Sequence, residues 1–251
     1  MGAVHNAVVS WLRLNSGCYA NKLIYRYLMS REQPCRREHR IKGGSKNPDK
    51  TFYIIRRVDK VGLFSYYATT LGHIKYALDK GYSPVVDMMN YENAFISHDE
   101  LGKRNGWEDY FEQPCGVGLD EACASRNAIL SYVGATLDRP FVSADFIENR
   151  NGSLSSWRNL ARQYIRYSPT SSAYIKTVRE RVFGGGERFL GVLCRGTDYT
   201  HLRPSHHPIQ PNPRDVIQKA EQVMREQACE KVFLLSNGFE YSYVWDLGVY
   251  D

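Results

Sequence analysis

Two stretches of the sequence follow the same order of an apolar run, a helical pattern and a second apolar run. The first goes from TFYIIR at 51–56 through ATTLGHIKYALDKG to YSPVVDMMN. The second goes from FLGVLC at 189–194 through PRDVIQKAEQVMREQAC to KVFLLS. Short β-branched and aromatic runs are typical of buried strands, and a strand–helix–strand order joins two parallel strands. The sequence therefore predicts an α/β protein with parallel sheets.

Changes in composition divide the chain into three ranges. Residues 1–50 are predicted to be a basic N-terminal arm and linker, which includes RREHRIKGGSKNPDK. Residues 51–182 are predicted to form an N-terminal α/β domain. It is predicted to have a loop in VDKVGLFSYY, a further strand in AILSYV at 128–133, and helices in SWRNLARQYIRY and SSAYIKTVRERVF. The glycine cluster GGGE then marks a boundary, and residues 183–251 begin a second domain. Two predicted strands do not complete a sheet, so we expect this second domain to be truncated.

Positive charge is concentrated near the N-terminus. The 251 residues carry a net charge of +6, but residues 1–60 hold thirteen Lys or Arg against four Asp or Glu. Such a segment is typically a solvated arm, and contact with an anionic membrane surface is the alternative. The basic run RREHRIKGGSKNPDK contains no Phe, Trp or Tyr, so it lacks the interleaved aromatic side chains of a nucleic-acid binder and no nucleic-acid partner is expected. No apolar run approaches the roughly 20 residues of a membrane span, which predicts a cytoplasmic protein with peripheral membrane contact left open.

The cysteine and histidine positions argue against a metal site. The six cysteines are scattered without a CxxC pair, and we expect free thiols. His201, His206 and His207 lie close together in sequence, but no acidic or cysteine partner has suitable local spacing. Neither a metal nor another cofactor is therefore expected.

The end of the predicted strand FLGVLC carries the most suggestive side chains. Arg195, Gly196, Thr197 and Asp198 follow it directly, and ligands of parallel sheets bind at the carboxyl ends of strands. A guanidinium suits phosphate oxygens, a glycine allows close backbone approach, and a hydroxyl can donate to an oxygen. This pattern favours a diphosphate site, while a plain ion pair between Arg195 and Asp198 is the alternative.

Two residues of the first strand–helix–strand unit are candidates for an acceptor side. Gly62 lies between the first strand and its helix, where backbone amides can meet an anion or a sugar hydroxyl. Asp87 ends the second strand of the unit. Its carboxylate is placed to face an acceptor, and a turn-capping role is the alternative.

Several segments, in order, resemble the α-1,6-fucosyltransferase family, which includes the nodulation fucosyltransferases. The matching elements are the YIR-x-x-P helix end, a second helix, the strand end GVLCRGTD and the HPI that precedes a helix. Upstream, GWEDYFEQP is similar to the family's Trp-Glu…Phe-x-x-Pro segment. The opening unit IIRRVDKVGLFSYYATTLGHIKYALDKGYSPVVDM resembles that of related bacterial glycosyltransferases of surface glycans. The resemblance covers roughly residues 51–235.

The resemblance implies a GT-B-like fold of two Rossmann-like domains, the second incomplete. It implies transfer of fucose from GDP-fucose to a glycan hydroxyl, with inversion and without a metal. Arg195 matches the arginine that holds the donor diphosphate, and Thr197, Asp198 and His207 match its surroundings. As catalytic residues we expect Arg195 and Asp198, and as donor-binding residues Arg195, Gly196, Thr197 and His207. A fixed arginine can stabilise the departing GDP in place of a metal.

The chain departs from the family at three places. Leu193 stands where the family usually has histidine, and Gly196 stands where it often has a second arginine. After KVFLLS the sequence NGFEYSYVWDLGVYD does not resemble the family's donor-binding loops. A truncated, non-catalytic fragment with only a glycan-binding or structural domain is therefore the alternative function.

Overall fold

The chain divides into two compact units, Met1–Tyr174 and Ile175–Asp251. The computed structural model describes residues 38–41, 44–56, 61–91, 93–131, 152–194 and 211–236. Its strands are β1 (His39–Ile41), β2 (Lys46–Arg56), β3 (Ser83–Asp87), β4 (Ser125–Leu130), β5 (Phe189–Cys194) and β6 (Lys231–Ser236). Its α-helices are α1 (Leu63–Asp79), α2 (Leu119–Cys123), α3 (Gly152–Tyr164), α4 (Pro169–Phe183) and α5 (Pro213–Gln227), with one 3₁₀ turn at His98–Glu100.

The first unit contains a four-stranded mixed sheet in the order β1-β4-β2-β3. β2 pairs in parallel with both β3 and β4, and β1 pairs antiparallel with β4. Helix α1 connects β2 to β3, which is the predicted strand–helix–strand unit. The prediction of an α/β protein with parallel sheets is confirmed at this level.

Both faces of this sheet are buried, as expected for parallel strands covered by helices. Tyr53 and Ile55 of β2 pack on one side in a core with α1 and Trp107. Phe52 and Ile54 point to the other side, where α2 covers them. All four side chains are at most 2% exposed, which explains why TFYIIR is apolar at successive rather than alternating positions.

The outer edge of β3 is covered by side-chain amides instead of another strand. Gln113 accepts a hydrogen bond from the Val86 amide at 2.8 Å and donates to the Val86 carbonyl at 2.9 Å. Asn105 accepts a hydrogen bond from the Met88 amide at 2.9 Å and donates to the Val86 carbonyl at 2.8 Å. The segment around GWEDYFEQP therefore closes an edge that would otherwise expose unpaired backbone groups.

The second unit contains a parallel pair, β5 and β6, connected through α5. Asn212 caps α5 by accepting a hydrogen bond from the Asp215 amide at 3.0 Å, and Pro213 occupies the first turn as predicted. Burial is low here: Cys194 is the single buried apolar residue that this part of the described chain contributes. Leu193 is 71% and Leu235 58% exposed, so one face of this pair is largely open.

Three boundaries differ from the sequence prediction. Helix α1 begins at Leu63, inside VDKVGLFSYY, which was predicted as a loop. Strand β1 and the first half of β2 lie in the range predicted as a linker, so the first sheet extends into it. Strand β4 begins three residues before the predicted Ala128. In contrast, β5 and β6 match FLGVLC and KVFLLS residue for residue.

The prediction that every cysteine is a free thiol is wrong. Cys123 is disulfide-bonded to a partner outside the described residues, whereas Cys115, Cys194 and Cys229 are free. The spacing of the cysteines in the sequence does not reveal this disulfide, because sequence separation says little about which cysteines are close in space. No helix in the described ranges is both long and apolar enough to cross a bilayer.

Candidate functional site

Three buried polar residues meet at the carboxyl edge of the first sheet. Arg56 ends β2, Asp87 ends β3, and Ser131 directly follows β4. Arg56 and Asp87 are direct partners in the parallel register. All three are at most 6% exposed. Polar groups this well buried are retained only when they are hydrogen-bonded.

Arg56 is fixed by the backbone of Ser131. Its Nε and Nη2 atoms donate to the Ser131 carbonyl at 3.1 and 2.6 Å. Its own amide donates to the Ser131 hydroxyl at 2.8 Å. Two donors on one carbonyl hold the guanidinium in a single orientation at the strand end. This residue was not among the predicted site residues.

The signal for Arg56 is nevertheless present in the sequence. TFYIIR ends in arginine, as FLGVLC is followed by Arg195. A charged residue at the carboxyl end of an apolar strand lies at the sheet edge where ligands of parallel sheets bind. The same reasoning, applied to the first strand, would have included Arg56.

Asp87 caps the turn that follows β3. Its Oδ1 accepts hydrogen bonds from the amides of Met89, at 2.9 Å, and Asn90, at 3.2 Å. The Asn90 side chain also donates to both carboxylate oxygens. These hydrogen bonds confirm that Asp87 caps a turn, whereas its role toward an acceptor stays a prediction.

We expect Asp87→Ala to destabilise the fold by about 1–3 kcal/mol, because it leaves two backbone amides without their acceptor. Asp87→Asn keeps an acceptor oxygen and should stay close to the wild-type stability. Urea denaturation of both variants measures the difference. An Asp87→Ala protein as stable as the wild type would contradict the capping role. Loss of transfer in the stable Asp87→Asn protein would support a role of the charge toward an acceptor.

Gly62 is the N-cap of α1. Its backbone is extended, with φ −68° and ψ 158°, and no side chain caps the helix. Its carbonyl accepts from the Ser65 amide at 2.9 Å, and a methyl group added at Gly62 would meet open space. The first turn of α1 carries no acidic residue. The structure thus places Gly62 at a helix N-terminus, as the sequence predicted it between strand and helix.

In the second unit, the predicted donor residues follow directly from a described strand end. β5 ends at Cys194, which is 3% exposed. Arg195, Gly196, Thr197 and Asp198 come next, and they lie outside the described residues together with His207.

An open groove of about 470 Å³ lies between β5 and α5. Its lining includes Leu193 near the end of β5, Pro211 just before α5, and Asp215 and Lys219 on α5. The described residues on both sides of the range 195–210 therefore include groove-lining residues, Leu193 before it and Pro211 after it. Small-molecule sites typically measure roughly 300–1,000 Å³, so the groove has the size of a ligand site.

Among the described residues, Glu100 has the largest pKa shift, and it lies away from the ends of β2 and β5. Hydrogen bonds from the Arg104 side chain, and then from Ser97, lower the pKa of Glu100 to about 2. Arg104 also donates to the Phe95 carbonyl at 2.9 Å and pairs with Asp109. This cluster holds the loop after β3 in place.

Within the described ranges, no group of three or more His, Cys, Asp or Glu side chains is arranged to hold a metal ion.

Comparisons with models of known protein families, with curated proteins and with solved structures found no match.

Proposed function

We propose that this chain is a glycosyltransferase of the fucosyltransferase type, which transfers fucose from GDP-fucose to a hydroxyl of a glycan acceptor. The transfer inverts the configuration at the sugar and uses no metal. We further propose a GT-B-like fold with two Rossmann-like domains. The proposal rests on the ordered motifs that resemble this family.

One structural observation carries the donor side of the proposal. A parallel strand ends at Cys194, one residue before Arg195, and a groove of ligand size adjoins that end. Carboxyl ends of parallel strands are where α/β proteins bind nucleotides. A guanidinium there meets the phosphate oxygens of a nucleoside diphosphate as paired donors.

The roles follow from the chemistry of the leaving group. GDP gains negative charge as the bond to fucose breaks, and Arg195 stabilises that charge. Gly196 permits close approach of the backbone, while Thr197 and His207 donate to donor oxygens. Asp198 orients Arg195.

On the acceptor side, Gly62 and Asp87 both lie in the strand–helix–strand unit of β2, α1 and β3. We propose that the helix N-terminus at Gly62 presents amides to a sugar hydroxyl. Asp87 is fixed by its turn and stands beside Arg56 in register.

The second candidate function is a non-catalytic fragment that binds glycan or serves as a structural domain. The exposed face of β5 and β6 favours it, because Leu193 and Leu235 are 71% and 58% exposed. A parallel pair with one open face is marginally stable. In this case the chain would bind an acceptor-type glycan without releasing GDP.

The test is release of GDP from GDP-fucose in the presence of a panel of oligosaccharides. GDP-mannose serves as the control donor, because it shares the nucleotide and differs in the sugar. Release from GDP-fucose alone supports the proposal. No release from either donor, together with retention on a glycan array, would favour the non-catalytic alternative.

The predicted cytoplasmic location conflicts with one observation. Disulfides persist mainly in oxidising compartments and are rare in cytosolic proteins, and Cys123 is disulfide-bonded. Alkylation of the free thiols before and after reduction, followed by mass spectrometry, shows whether Cys123 is oxidised in the protein isolated from its cells.

A further inference from the structure

A long part of the chain around α3 and α4 is basic and contains no acidic residue. From Gly152 to Arg179 there are five Lys or Arg and no Asp or Glu. The whole chain, by contrast, carries 27 acidic residues in 251, so about three are expected in a stretch of this length. This segment is separate from the basic N-terminal arm.

Three exposed arginines lie on α3 and just after its end. Arg158 and Arg162 are four residues apart on the helix, and Arg166 lies two residues beyond its last residue, Tyr164. On a helix this spacing puts neighbouring side chains on one face, about 6 Å apart along the axis. Trp157, at 4% exposed, points to the opposite, buried side. We call these three residues the arginine stripe.

Among the described residues, the arginine stripe has one acidic partner. Arg166 pairs with Glu112 at 3.2 Å, whereas Arg158 and Arg162 form no ion pair within the described ranges. Like charges four residues apart repel each other and disfavour the helix. A partner that supplies negative charge removes that repulsion.

Exposed tyrosines accompany these charges. Tyr167 directly follows the stripe and is 56% exposed, with its ring stacked on Phe111. Tyr174, in α4, is 69% exposed. Tyrosine is enriched at the membrane–water interface, where its ring sits among the headgroups.

We infer that the arginine stripe, with Tyr167 at its end, is a docking surface for an anionic phospholipid membrane. Guanidinium groups pair with lipid phosphates and carboxylates, and a basic surface gains affinity from the negative potential of the bilayer. The exposed side of a helix is convex, which suits a planar surface. A single nucleic-acid strand is instead held in a groove. The inference is independent of the proposed transferase activity.

The test is co-sedimentation of the full chain with vesicles of phosphatidylcholine alone or mixed with phosphatidylserine. Each arginine near an anionic surface contributes about fivefold in affinity, so Arg158→Gln together with Arg162→Gln should weaken binding to the anionic vesicles about 25-fold. The control changes Lys219→Gln and Arg225→Gln on α5, which removes the same charge elsewhere and should leave binding unchanged. Thermal melting checks that both variants fold.

Three outcomes would overturn the inference. One is equal binding of the wild type to neutral and anionic vesicles, or binding to neither. Another is undiminished binding by the Arg158 and Arg162 double variant. The third is binding of a single-stranded RNA oligonucleotide that depends on these two arginines while anionic vesicles are not bound, which would assign the stripe to nucleic acid.

Discussion

Arg195→Ala is expected to lower the rate of GDP release from GDP-fucose by about 100- to 1,000-fold. Removing one donor that stabilises developing charge in a transition state typically has an effect of this size. The reason is positional, because Arg195 is the next residue in the sequence after the end of β5, and Leu193 near that end lines the groove between β5 and α5. Initial rates at saturating and limiting GDP-fucose measure the change.

Two further variants sharpen this experiment. Arg188→Ala removes an exposed arginine next to the opposite, amino end of β5 and should leave the rate unchanged. Arg195→Lys retains the charge but loses the paired donors of the guanidinium, so its rate should fall between those of the wild type and Arg195→Ala. Equal rates for Arg195→Ala and the wild type would reject the assigned role.

Trp107→Ala is expected to have the largest effect on stability, about 3–5 kcal/mol. Trp107 is fully buried, its ring centroid lies 4.6 Å from that of Phe111, and its Nε1 donates to the Glu112 carbonyl at 3.1 Å. Truncation leaves a cavity in the core beside the first sheet. A domain is stable by about 5–15 kcal/mol in total, so this loss is a large share of it.

Urea denaturation at constant temperature measures the loss. Trp107→Phe keeps most of the apolar volume and should cost less than Trp107→Ala. Tyr174→Ala, at a residue that is 69% exposed, is the surface control and should change stability by less than about 0.5 kcal/mol. A loss below about 1 kcal/mol for Trp107→Ala would contradict the packing described here.

The elements that the sequence predicted best are those with strong apolar runs and clear end signals. β5 and β6 match their predicted ranges, and α1 ends next to Gly81, whose φ of +71° favours glycine. The less exposed side of α5 carries the apolar residues of its helical pattern, namely Val216, Ile217, Ala220, Val223 and Met224. In these segments local pattern and tertiary environment agree.

The misplaced boundaries lie in segments whose partners are distant in sequence. The residues Lys46–Lys50 are polar and mostly exposed, and they join β2 only by pairing beside β4, with an irregular register between Lys46 and Thr51. Gly44 lies so close to the Ala124 carbonyl that a methyl group there would stand 2.3 Å from its oxygen. No local pattern encodes such contacts.

In the candidate site, too, features encoded by a local pattern are predicted correctly, whereas contacts between distant residues are not. Asp87 was predicted correctly at the end of a strand, because PVVD is a clear local signal. The contact of Arg56 with Ser131 joins residues 75 positions apart, so only the fold brings them together. The roles of Arg195, Gly196, Thr197, Asp198 and His207 depend on the resemblance and on the position of β5, and they stay predictions.

The proposed binding of GDP by Arg195 is tested most directly through the melting temperature of the wild type, Arg195→Ala and Arg188→Ala, each with and without GDP. A ligand that binds the folded state stabilises it by about 2.7 kcal/mol at 100 times its Kd. We expect GDP to raise the melting temperature of the wild type and of Arg188→Ala, but not that of Arg195→Ala. The same shift in all three proteins, or no shift in the wild type, would contradict a diphosphate site at the end of β5.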